Sequence, residues 1–214
     1  MSIAELIFQA EALTQWLHEN TNDKSFADTT RSKTGLAILQ LTMDIADAII
    51  VLLENRLPGP ALSLGRPLFE GYVRGIWLLH YASEAQIESF NDRKVPQFPA
   101  LIKAIGVDAE SGGAWIDETK RKDLPGFHDL THGGSEHVKR RSAAGVIEPC
   151  YPETELDELV KLGIEVRIRI GAELLYLLGD KAAIVELSQR AEALRALQSH
   201  DAGVGSLSEP VRDC

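Results

Sequence analysis

Apolar residues recur every three to four positions along most of this chain, and strict strand-type alternation does not occur. Residues 2–19 form an amphipathic segment with Ile3, Leu6, Ile7, Ala10, Leu13 and Leu17 at helical spacing. Ser2 followed by Glu5 opens it with a capping box. A second, longer helix is predicted over 29–55, with Leu36, Leu39, Met43, Ala46, Ile50 and Leu53 on its apolar side. Asn55 and the run Leu57-Pro58-Gly59-Pro60 stop it. A third covers about 60–82, and Pro67 near its start requires either an early kink or a helix that begins near Gly65 or Arg66. Shorter helices are expected at Ser83–Asn91, where Ser83 suits a cap, and at Pro99–Ile105, ending at Gly106.

From Val107 to Pro152 the pattern breaks at Gly112-Gly113, Pro125-Gly126, Gly133-Gly134, Pro149 and Pro152, leaving room for brief helices near 114–122 and 135–141. Periodicity returns at Glu153 and runs to Leu178. Gly179-Asp180 then separates a last helix over about 181–198. The expected fold is all-α, a single-domain helical bundle of residues 1–198 with an irregular, loop-rich middle. Residues 199–214, which lack a periodic apolar face, form a loose tail in this reading.

The third helix carries the least expected pattern. Arg66, Glu70 and Arg74 stand four apart on a background of Leu64, Leu68, Phe69, Val73, Ile76 and Leu79. At about 100° per residue the three charges lie within about 80° of one another. Ser63, Trp77 and Tyr81 share their face. A helix this apolar is buried on most sides, and buried charge persists only when paired or bound. The stripe is therefore expected to be mostly buried, facing a partner helix or a ligand. The C-terminal long helix offers such a partner. Its Glu165, Arg169 and Glu173 repeat the spacing with opposite sign, which would make a buried ion-pair ladder between the two helices. In the alternative, Arg66 and Arg74 hold an anionic group, oriented by Glu70 and walled by Trp77 or Tyr81.

A second cluster, Phe127-His128-Asp129-Leu130-Thr131-His132-Gly133-Gly134-Ser135-Glu136-His137, follows about fifty residues later. His128 and His132 share a face if helical, the spacing of a metal pair, but the pattern of a zinc protease is missing and no thiolate is near, so no metal is assigned. The two histidines stay as candidates for catalysis. Ser63, Ser135, His132 and Asp129 supply the residue types of a hydrolytic triad without the strand and elbow that would support one. A turn at Gly133-Gly134 next to Arg140 and Arg141 favours anions. Two polar clusters in one small core are more economically satisfied together, so His132 is expected near Arg66 and Arg74.

Charge and composition narrow this further. The net charge of −10 over 214 residues argues against indiscriminate nucleic-acid or anionic-membrane binding, yet six basic residues against three acidic ones fall between Lys120 and Arg141. With no leader of the secretory type the chain is read as cytoplasmic. Its two cysteines, Cys150 and Cys214, lack metal spacing and are read as free thiols.

Together the segment Arg66-Pro-Leu-Phe-Glu-Gly-Tyr-Val-Arg-Gly-Ile-Trp-Leu78 and His-Asp-Leu-Thr-His-Gly-Gly at 128–134 resembles a group of uncharacterised bacterial all-helical proteins of the domain-of-unknown-function kind. That resemblance implies a helical fold and no particular activity. More remotely, the layout is similar to the HEPN helical superfamily, which implies a dimeric ribonuclease using an Arg and a His four to six residues apart. Arg74 with His80 and Arg121 with His128 are the pairs nearest that count, neither in the superfamily's usual Arg-Asn form. The leading expectation is a non-enzymatic binding or interaction module with an anion-preferring cleft of Arg66, Glu70, Arg74, His132 and Arg140, with no cofactor. Its ligand is an anionic small molecule or RNA, it involves no membrane, and it is compatible with a homodimer. A HEPN-like RNA-cleaving or nucleotide-modifying dimer is the runner-up, and a metal-dependent hydrolase through His128 and His132 is third.

Overall fold

The computed structural model of the chain describes residues 2–92, 94–106, 112–122, 124–143 and 146–201. The fold is all-α. In chain order the helices are α1 (Ile3–Thr21), α2 (Thr30–Glu54), α3 (Pro58–Ser63), α4 (Gly65–Ile76), α5 (Glu84–Asn91), α6 (Phe98–Ile105), α7 (Gly113–Lys122), α8 (Leu124–Thr131), α9 (Ser135–Lys139), α10 (Glu153–Leu178) and α11 (Lys181–Asp201). A π turn, Trp77–Tyr81, continues α4 and closes with the Ala82 N–H donating to the Trp77 carbonyl at 2.8 Å. Two strands of two residues each, β1 (Ser142–Ala143) and β2 (Val146–Ile147), pair antiparallel after α9. Residues 199–201 of the expected tail belong to α11 instead, because the helix runs on past its last apolar position, and the rest of that tail lies outside the described residues.

Local signals explain most boundaries. Ser2 and Glu5 form the capping box of α1, and Ser83 with Gln86 forms that of α5. The predicted third helix is broken at Leu64, so that Pro67 falls in the first turn of α4, where a missing N–H costs nothing. The middle of the chain is more helical than its turn residues suggest. Leu124-Pro125-Gly126 reads as a break, yet it is the first turn of α8, where proline is tolerated for the same reason.

The chain divides into two compact units, Phe26–His137 and Met1–Ser25 with Val138–Cys214. In the first, α4 packs chiefly on α2. This contact is close because α4 presents Gly71 and Gly75. A Cβ at Gly75 would sit 2.3 Å from Leu39 Cδ2, and one at Gly71 would sit 2.5 Å from the Thr42 hydroxyl. Leu39, Thr42, Ala46 and Ile49 of α2 and Leu68, Phe69, Tyr72, Val73 and Ile76 of α4 are buried. By length and composition alone α2 could cross a membrane.

In the second unit α10 packs chiefly on α1 and then on α11. Leu6, Ala10, Leu13 and Leu17 of α1 are buried, as are Leu159, Val166 and Ile170 of α10. The most deeply buried charge among the described residues is Arg167 at 1% exposure, which periodicity did not single out. Its Nε donates to the Thr14 hydroxyl at 2.9 Å. Arg190 lies 5.0 Å above the Trp16 ring. Cys150 is disulfide-bonded rather than a free thiol.

Two stability outcomes follow from these contacts. Gly75→Val is expected to destabilise the protein by about 1–3 kcal/mol in urea unfolding, because the added carbons must displace a buried leucine. Burial pushes the Asp157 carboxyl up, and its Oδ1 is buried without a partner among the described residues. Folded Asp157 holds its proton more tightly than the unfolded chain does, so its contribution is fully present in acid and is lost as pH rises. Asp157→Asn should therefore raise the melting temperature at neutral pH, with the gain disappearing in acid.

Candidate functional site

The candidate site lies where α8 docks on α3 and the start of α4. Docking begins with a missing side chain: a Cβ on Gly65 would stand 2.6 Å from the Phe127 ring. The Thr131 hydroxyl donates to the Ser63 carbonyl at 3.2 Å and to the Phe127 carbonyl at 2.7 Å. In return the Ser63 hydroxyl reaches the Leu130 carbonyl at 3.2 Å, and Leu130 is buried. Phe127, Leu130 and Thr131 thus spend one side of α8 on packing. His128 and His132, four apart, remain on the accessible side with ring centroids 4.8 Å apart, edge to face.

Across from them stands Arg66. Its Nη1 contacts His128 Nδ1 and lies 3.4 Å from His132 Nε2. Its Nε donates to Glu70 Oε1 at 2.6 Å. The other oxygen of Glu70 is 3.8 Å from Arg74 Nη2. One carboxylate therefore serves two guanidinium groups, and Arg74 Nε is buried with no hydrogen-bond partner among the described residues. The side chains of Arg66, Glu70 and Arg74 keep 24, 19 and 29% of their exposure, so the stripe is mostly buried but reaches solvent.

The expected ladder to the C-terminal long helix is not what pairs these charges. Glu70 is satisfied inside α4, and Glu165 of α10 pairs with Arg169 at 2.8 Å and with Nε and Nη2 of Arg195 on α11. The four-residue spacing that draws a stripe is the same spacing that closes ion pairs within one helix. Arg140 falls in the other unit. Its Nε and Nη2 bind Glu155 at 2.7 and 2.6 Å, so the fork expected to hold an anion already holds a carboxylate. Trp77 is buried in the core and is no pocket wall.

The remaining polar residues of the second cluster are architectural. The Asp129 carboxylate accepts the Glu136 N–H at 2.6 Å and its carbonyl accepts the Gly134 N–H at 2.9 Å, which folds the Gly133-Gly134 turn. A Cβ on Gly134 would collide with that carboxylate at 2.1 Å. His137 is the imidazole that meets Ser63. Its Nε2 is 3.2 Å from the hydroxyl and 2.6 Å from the Leu130 carbonyl. An acceptor that close requires a proton on Nε2, so this nitrogen is a donor and cannot take a proton from Ser63. No triad of Ser63, His132 and Asp129 assembles. Of the pairs suggested by the HEPN resemblance, Arg121 lies beside Asp117 at 3.6 Å, while His128 faces Arg66. Among the described residues no three His, Cys, Asp or Glu side chains form a metal-binding group, and the His pair faces a cation.

A cation-centred corner on an all-helical scaffold is the class of site this chain presents. The family model described as a family of unknown function (DUF6988) matches residues 39–197, well over half of the chain and both polar motifs. The chain belongs to that family. No curated protein and no solved structure matches it.

If Asp129 is a cap and a turn brace, Asp129→Ala should cost about 1–2 kcal/mol of stability. His128→Ala, an accessible side chain with no packing role, should stay within about 0.5 kcal/mol of wild type in the same unfolding assay.

Proposed function

We propose that this protein is a non-enzymatic binding module that holds an anionic group at the corner of Arg66, His128 and His132, with Arg74 behind it. The observation that carries the reading is the excess of cationic donors over acceptors. Two guanidinium groups share the single carboxylate of Glu70, and one buried donor, Arg74 Nε, is left without an acceptor. An anion supplies the missing acceptor, and a guanidinium fork suits phosphate or carboxylate geometry. Arg140 is paired with Glu155 and is left out of the proposed site.

A second reading, cleavage of a phosphodiester in RNA by a HEPN-like dimer, is favoured by one observation. Two accessible imidazoles flank a guanidinium, a set able to move protons on either side of a phosphoryl group.

Thermal unfolding with inorganic phosphate, a mononucleotide and a short RNA tests both readings. Saturating ligand at a hundredfold excess over Kd should stabilise the wild type by about 2.7 kcal/mol, and Arg66→Ala should lose the effect. Labelled RNA incubated with wild type, His128→Ala and His132→Ala separates binding from cleavage. Intact RNA in all three supports the module. Cleavage lost in the variants makes the protein an enzyme.

A further inference from the structure

The contacts around Arg66 point to the class of anion and to what must happen when it arrives; the inference rests on the anion-binding reading above. A guanidinium only donates, so each imidazole nitrogen that meets it offers a lone pair. Arg66 Nη1 carries two protons and meets two such nitrogens, His128 Nδ1 and His132 Nε2. With Nε given to Glu70, Nη2 alone has no partner among the described residues. The two histidines in their neutral form therefore compete with any ligand for Arg66.

Protonation reverses this. Each imidazolium becomes a donor, releases Nη1 and adds a positive charge. Arg66, Arg74 and Glu70 together carry +1, and two protonated histidines raise this to +3. Cations this close to one another repel unless an anion lies among them. A single charge is met by Arg66 alone, whereas a second charge on the ligand is met by the histidines. We propose that this corner takes a dianionic group of the sulfate or phosphate-monoester kind and takes up protons on His128 and His132 as it binds.

Other ionisable groups beside the histidines are Asp129 of α8, which accepts the Glu136 N–H, His137 of α9, which donates to the Leu130 carbonyl, and on α7 the basic Lys120, Arg121 and Lys122 against Asp117 and Glu118. From α4 the charged residues of the corner are Arg66, Glu70 and Arg74. The residues of α3 carry no ionisable side chain, and Arg121 of α7 is engaged by Asp117. The proton is held more tightly in the complex than in the free protein, so affinity rises as pH falls and declines as pH rises.

Sulfate is the probe, because it remains a dianion across the range where histidine titrates. Calorimetric titration at about pH 5.5 and about pH 8, in two buffers of different ionisation enthalpy, reads affinity and proton uptake together. The expected result is a buffer-dependent heat showing uptake, with sulfate binding about tenfold tighter per pH unit for each proton taken up. His128→Gln and His132→Gln, checked for unchanged folding by circular dichroism, should each lose part of the uptake and flatten the pH profile. Sulfate bound equally well at both pH values with no proton uptake overturns this inference and leaves the anion site standing. Acetate bound as tightly as sulfate overturns the dianion assignment. Failure of sulfate and phosphate to bind at either pH overturns both the inference and the anion site.

Discussion

The close approach of α2 and α4 is the constraint on which the first unit depends. Gly71 and Gly75 remove the side chains that would keep the two helices apart, and Leu39 and Thr42 fill the space. Once that face of α4 is fixed, the positions about 120° round the helix are fixed too, and these carry Arg66, Glu70 and Arg74. The charges sit where they do because the opposite choice would bury three ionised groups against Leu39.

Docking of α8 then divides the second motif into two jobs. Phe127 fits against the bare backbone of Gly65, Thr131 and Ser63 exchange hydrogen bonds with the facing main chain, and His137 donates to Leu130. Asp129 holds the following turn together, and Gly134 leaves it room. Most of what looks like catalytic chemistry in this motif is therefore the satisfaction of main-chain groups at a junction of short helices. His128 and His132 remain, because architecture leaves them on the accessible side beside Arg66. A site made from residues the fold does not consume is a sounder basis for function than the motif as a whole.

In the other unit the four-residue stripe of α10 serves as a set of ion pairs with its own helix and with α11, through Glu165, Arg169 and Arg195. Arg140 and Glu155 close a bidentate pair over fifteen residues of chain. Arg140 resembles a ligand-holding residue in sequence and differs from Arg66 in meeting one carboxylate with two of its nitrogens. The distinction is one of stoichiometry: Arg140 has a carboxylate that meets two of its nitrogens, whereas Glu70 is divided between two arginines.

By itself the sequence determined the helical class, the capping box at Ser2, a cap at Ser83, a kink or a new start near Gly65 in the third helix, and the end of α10 at Leu178. Each of these is encoded within a few residues, by caps, by proline and glycine, and by the 3.6-residue period. It also singled out Arg66, Glu70, Arg74 and His132, because charge on an apolar helix and polar residues beside a glycine pair stand out without a structure. Tertiary structure decided what each of them meets. That α8 is a helix despite Pro125-Gly126, that Glu70 turns inward along α4, that Arg140 belongs to Glu155 and that His137 rather than His132 meets Ser63 all depend on which segments pack together. Contacts between residues more than sixty positions apart, such as Arg66 with His128, are set by packing that no local pattern encodes.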